Sequence, residues 1–320
     1  MSETVLSAQN LRVHYHTRRG PVKAVDGVTF DLNEGETLGV VGETGCGKST
    51  LAKVTLGLLP PRTEVSGSLK LRGKELLEIS PAEYRHLRGE ELALIFQDPM
   101  TRLDPLMSIR EHFVETLRAH DKKLSKAEAS ERAIDILRSM GIPESRIDDF
   151  PHEFSGGMRQ RIMIAMAIVL RPKLLVADEP TTALDVIVEA QILDILRDLR
   201  RAYSMSLILI THNLGIVAQV CDRTAVMYAG RLAELGSVAD VFRRPIHPYT
   251  QGLLASTIHL DTRELRSIDG LPPSLLDPPT GCRFHPRCPH AKDICTREEP
   301  PMVEYRPGHF AACHFGADFL

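Results

Sequence analysis

The chain is 320 residues long, 43% hydrophobic and 25% charged, with no tryptophan and a formal net charge of −3. That length accommodates a large core plus additions, and the charge excludes a global attraction to nucleic acid or to an anionic membrane surface. The longest apolar run, Ile162 to Leu170, is closed by Arg161 and Arg171, far short of the roughly 20 residues that cross a bilayer. The start, MSETVLSAQNLRVHY, lacks the basic, apolar and cleavage regions of a signal peptide. The expectation is a chain kept in the cytoplasm, where structural disulfides do not persist. Any membrane role then comes through a partner.

Residues 1 to about 40 read as short strands with alternating apolar positions, such as AVDGVTFDL and TLGVVG. TLGVVG runs into a glycine-rich turn and then a helical pattern, KSTLAKVTLGLL; SGSLKLRGKELL reads as a further hairpin strand. From Pro81 to about Phe150 the pattern is helical and more polar. EHFVETLRAH and ERAIDILRSMG are amphipathic, and Gly141 caps the second. KLLVADEP and SLILITH are strand-type runs separated by the helix VIVEAQILDILRDLRRAY. Strands alternating with helices predict a parallel sheet covered by helices. After about Arg244 the chain becomes rich in proline and cysteine, which predicts a small appended module.

Gly42, Glu43, Thr44, Gly45, Cys46, Gly47, Lys48, Ser49 and Thr50 fit G-x-x-x-x-G-K-[ST], after a strand and before a helix. Glycines in such a loop let backbone N–H groups close around phosphates, and the helix N-terminus adds partial positive charge. Lys48 is expected to reach the β- and γ-phosphates of a bound ATP, and Ser49 to hold Mg²⁺. Cys46, at the helix start near Lys48, is expected to have a depressed thiol pKa. Cys221 reads as a small core residue. Asp178 ends the apolar strand LLVAD and suits a contact to Mg²⁺, while Glu179 is placed to polarise the attacking water. In FSGGMRQR, Ser155, Gly156 and Gly157, followed by Met158, stand at a helix start, where a serine and two glycines form a second anion-binding corner.

Here the chain resembles the ATP-binding subunit of an ABC transporter, whose signature is usually written LSGGQ; Phe154 and Met158 depart from that form. The resemblance covers roughly residues 5 to 245. It implies that two such domains pair head to tail, each signature closing on the other's ATP. By the same resemblance Gln97 joins Mg²⁺ and water to the helical subdomain, and Asp185 crosses the dimer interface. His212 contacts the γ-phosphate, and Tyr15 stacks on adenine. Asn213 stands where the family more often has aspartate.

The implied fold is an α/β P-loop (RecA-like) ABC ATPase core with an antiparallel β subdomain, a helical subdomain and a small Cys-rich C-terminal extension. Its expected divisions are residues 1–96 for the first part of the core, 97–157 for the helical subdomain, 158–244 for the rest of the core, and 245–320 for the extension. RRPIHPYTQGLL, IFQDPMTRLDP and PHEFSGGMRQRIMIAMAI resemble the dipeptide and oligopeptide importer branch, which also includes nickel importers. That branch implies two membrane permeases, a second and non-identical ATPase subunit, an external substrate-binding protein and a place at the cytoplasmic face of the inner membrane. Peptides are the default cargo, with nickel, glutathione or glycosides open. A soluble ABC-type ATPase acting on nucleic acid or ribosomes is the alternative class. Against it stand the absence of heptad runs, the single P-loop and the mildly acidic balance.

Four of the six cysteines crowd the tail in the pattern C-x5-C-x6-C-x17-C: Cys282, Cys288, Cys295 and Cys313. Zinc knuckles favour C-x2-4-C pairs, which are missing, so wider spacing points to the corners of a [4Fe–4S] cluster, with zinc as the alternative. Members of the importer branch carry a similar tail. His285, His290, His309 and His314 keep a mixed zinc site open, and four cysteines without metal remain the third reading.

Overall fold

The computed structural model describes residues 3–96, 102–182, 184–256 and 267–320. By contact they form two units, Met1–Ile79 with Ile208–Leu320, and Ser80–Leu207. In the first, β1 (Thr4–Thr17) and β2 (Gly20–Asn33) pair as an antiparallel hairpin. Strand β1 is longer than its sequence pattern predicts. Its buried residues include Val5 at the strand's start and then run Leu6, Ala8, followed by Leu11, Val13, and between Ala8 and Leu11 the parity changes as a regular strand cannot. A bulge between Ala8 and Leu11 absorbs it, with Asn10 in the left-handed region at φ 47°. Strand β3 (Thr37–Val41), buried throughout, leads into helix α1 (Lys48–Thr55). Strands β4 (Thr63–Leu71) and β5 (Lys74–Glu75) extend the first sheet in the order β2-β1-β4-β5.

The second unit is mainly helical. Its helices α2 (Pro81–Glu90), α3 (Ile109–His120) and α4 (Lys126–Ser139) each begin with a reciprocal capping box, Ser80/Glu83, Ser108/Glu111 and Ser125/Glu128. The S-x-x-E spacing satisfies two orphan backbone donors at each start, typically worth about 1 kcal/mol per cap. Gly141, at φ 73°, follows α4 as anticipated. Strand β6 (Leu92–Ile95) lies inside the stretch read as helical and pairs in parallel with β7 (Leu174–Asp178). Helices α5 (Gly156–Ile168) and α6 (Val186–Tyr203) complete the unit.

The chain returns to the first unit through β8 (Ser206–Ile210), α7 (Leu214–Val220), β9 (Arg223–Tyr228) and β10 (Arg231–Ser237). Helices α8 (Val238–Arg243) and α9 (Pro248–Ala255) follow, then α10 (Asp293–Arg297), β11 (Val303–Arg306) and β12 (His309–Ala311). Strand β3 is parallel to β9, and β10 is antiparallel to it. The tail does not hang free: β12 pairs with β10, and Phe284 enters a buried cluster with Val41, Val226, Tyr228 and Tyr249. Among the described residues no helix is long and apolar enough to cross a membrane.

Candidate functional site

Two glycines of the phosphate loop are dictated by geometry. Gly42 (φ 149°) and Gly47 (φ 109°) occupy backbone space that side chains rarely adopt, and a Cβ on either would run into a backbone carbonyl, of Met227 and Ala24 respectively. Gly47 precedes α1 with no side-chain cap, so the first-turn N–H groups face the loop. The Lys48 ammonium is 2.7 Å from the Gly42 carbonyl and 3.1 Å from the Glu43 carbonyl, both accepting. Thr44 and Gly45 are exposed at the loop's crest. Ser49 follows Lys48 in the first turn of α1. Tyr15, on β1, donates its hydroxyl to Thr50 Oγ1 at 3.1 Å, which brings it to the helix start. His212 is exposed just past the end of β8, and Asn213 caps α7 by accepting from the N–H of Gly215 and Ile216. The expectation for Cys46 is corrected. Burial pushes its thiol pKa up, outweighing Lys48, whose ammonium sits on the carbonyls and 3.9 Å from the sulfur.

In the second unit, Asp178 is buried at the end of β7. Glu179 holds a left-handed backbone (φ 49°) unusual for its type, and Thr182 donates to its carboxylate at 2.8 Å. Ser155 caps α5, accepting from Met158 N–H at 3.4 Å, so Gly156 and Gly157 form its first turn. Phe154 keeps the apolar role of the usual leucine, being 2% exposed with the Arg146 guanidinium stacked 4.2 Å from its ring centroid. Arg146 also approaches the Met158 sulfur at 3.7 Å. Asp185 caps α6 through the N–H of Ile187 and Val188. Gln97 lies outside the described residues.

Sequence reasoning passed over Gln160. Buried in α5, it donates to the Pro180 carbonyl, directly after Glu179, and so ties the signature helix to the acidic strand end. Its only signal was its place between Arg159 and Arg161 at the head of an apolar helical run. Glu234 was also missed, and His309, read as a candidate zinc ligand, is instead its partner: both are fully buried and their side chains are 2.7 Å apart, the imidazole donating.

Cys282, Cys288, Cys295 and Cys313 are free thiols lining one small cavity. Gly281 (φ 65°) permits the close approach of the Cys295 backbone, whose carbonyl accepts from Cys282 N–H at 2.8 Å. Burial, then the neighbouring cysteines, pushes the Cys282 thiol up to about 11; burial likewise raises Cys288 and Cys313. Among the described residues no three His, Cys, Asp or Glu side chains converge as they would on one metal ion.

A family model described as "ABC transporter" matches residues 25–182, and one described as "Oligopeptide/dipeptide transporter, C-terminal region" matches 233–295. The oligopeptide transport ATP-binding protein OppD of Salmonella typhimurium is 49% identical over 98% of this chain and 94% of that relative. The dipeptide transport ATP-binding protein DppD of Bacillus subtilis is 48% identical over 97% and 94%. Among solved structures, cbiO1 of Clostridium perfringens, part of an ABC transporter complex, aligns with TM-score 0.65 at 30% identity, over 76% of this chain and 93% of that one. A dimeric ATP-binding cassette bound to ADP and phosphate shares the fold at TM-score 0.66 and 23% identity, over 73% and 98%. With its phosphate loop, signature helix and C-terminal region all matched, the chain belongs to the oligopeptide and dipeptide transport ATP-binding proteins of the ABC transporter family.

Proposed function

We propose that this chain is the ATP-hydrolysing subunit that powers uptake of di- and oligopeptides through a membrane ABC importer. The observation that carries the reading is one chain holding an intact phosphate loop, a capped S-G-G helix and the peptide-transporter C-terminal region. Lys48 and the backbone of Gly42 to Thr50 bind the phosphates, and Tyr15 meets the adenine. Ser49, Gln97 and Asp178 hold Mg²⁺, which offsets the charge of the phosphates. Glu179, its backbone strained and its carboxylate held by Thr182, orients the attacking water and takes its proton. His212 contacts the γ-phosphate.

Ser155, Gly156, Gly157 and Met158 serve the nucleotide of a second ATPase subunit, a non-identical relative, with Asp185 at the junction. Two permeases carry the peptide, an external binding protein delivers it, and this chain works at the cytoplasmic face of the inner membrane. Cys282, Cys288, Cys295 and Cys313 would hold a [4Fe–4S] cluster, with zinc as the alternative, a reading supported by four free thiols lining one cavity. The cluster supplies a structural or redox-sensing centre, since hydrolysis moves no electrons. In the assembled transporter Glu179→Gln should still bind ATP while turnover falls at least about 100-fold; unchanged turnover would remove Glu179 from the catalytic role.

A further inference from the structure

The tail reaches the phosphate loop through one arginine. Arg287, in the turn between Cys282 and Cys288, forks onto the Glu43 carboxylate with Nη1 to Oε2 at 2.7 Å and Nη2 to Oε1 at 3.0 Å. Its remaining donors are used as well, on Tyr228 Oη at 3.3 Å, the Ile268 carbonyl at 3.2 Å and the Asp269 carbonyl at 2.9 Å. The Arg287 side chain is 5% exposed and that of Glu43 24%, so the pair is sheltered from the screening that weakens surface ion pairs.

A second tether holds the same residue. The buried Tyr249 hydroxyl accepts from Glu43 N–H at 2.9 Å. Tyr249 packs against Tyr228 and Phe284, with ring centroids 4.5 and 5.4 Å away. Glu43 in turn offers its carbonyl to Cys46 N–H and to the Lys48 ammonium. One loop residue is therefore gripped from outside by side chain and backbone while its carbonyl orients the lysine.

We propose that Arg287 and Tyr249 are positioning residues for the phosphate loop, so that the C-terminal region sets the affinity of the site for ATP. The pair holds Glu43, and through it Lys48, in the arrangement that receives phosphates, and contributes to nucleotide binding without touching nucleotide. The inference rests on the ATP reading of the loop.

Nucleotide titration and steady-state ATPase in the assembled transporter test it. Arg287→Met should raise the KM for ATP about tenfold, the factor that 1.4 kcal/mol of lost binding represents, with kcat within about twofold. Arg287→Lys should rescue little, because an ammonium cannot reproduce the planar fork. Glu43→Gln, which leaves the tail untouched, should weaken ATP binding by a similar factor. The double variant should be no worse than the weaker single, since both remove one interaction. A lowered Tm with unchanged KM in Arg287→Met and unchanged ATP affinity in Glu43→Gln would make the contact purely structural and overturn the proposal. Failure of the unsubstituted transporter to bind ATP would instead overturn the ATP reading itself.

Discussion

Gly156 and Gly157 are adjacent in the first turn of α5, yet the same substitution should fail at each for a different reason. Nothing lies within 4 Å of a Cβ added at Gly156, whereas one at Gly157 would sit 2.7 Å from Val188 Cγ1. Alanine exceeds glycine in helices by up to about 1 kcal/mol, so Gly156→Ala should fold as stably as the parent or slightly more so. Gly157→Ala overpacks the site at a cost of about 1–3 kcal/mol. It also pushes on the residue whose N–H is bonded to Asp185 at 2.9 Å. For a chain of this size that is a fall in Tm of at least about 1.5 °C. Thermal melts of the chain should separate the two variants, while ATPase in the assembled transporter should fall in both. The exposed backbone at Gly156 is proposed to meet the second subunit's nucleotide, which a methyl group would hold off. Full turnover in Gly156→Ala would refute that role, and a parental melt for Gly157→Ala would refute the packing argument.

Acid should weaken the fold through His247. Burial, outweighing the nearby Glu234, pushes its pKa down to about 4, so the native imidazole stays neutral where the unfolded chain, titrating near 6.5, gains a proton. Stability is then complete above about pH 6.5 and falls by on the order of 3 kcal/mol as pH drops toward 4. In His247→Asn, which keeps an acceptor for Tyr249 N–H, that slope should flatten; an unchanged slope would assign the acid sensitivity elsewhere. Anaerobic purification should yield about four irons and four sulfides per chain, both lost in Cys313→Ser. One zinc without sulfide would instead make the tail a zinc knot.

Features encoded within a few residues were readable in advance. The α6 stretch Val186–Tyr203 coincides with the helix marked out by its periodicity. The phosphate loop was readable because glycines at φ values closed to other residues leave no choice of type. Strand β6 was missed because its four residues are too few to display a period, and a buried parallel strand need not alternate. The Cys46 thiol was misjudged because helix start and nearby lysine are visible in sequence, whereas burial is not. Arg287 and Glu43 were invisible as a pair: 244 positions apart, each is an ordinary surface-type charge until the tail folds back. That the four cysteines line one cavity was foreseeable from their crowding, but among the described residues no three of them are arranged to hold a metal ion, and such distances are not encoded in spacing.

The pairing of β12 with β10 has a consequence for any shortened form of the protein. Glu234 of β10 faces Ala311 in register, is wholly buried, and shares its carboxylate between His309 and the N–H groups of Ile246 and His247. A chain cut before the tail would open a sheet margin ready to recruit strands from other molecules. The same cut would strand a carboxylate that had lost its imidazole partner. The core therefore relies on the tail both to cover the margin of β10 and to supply the partner of a buried carboxylate.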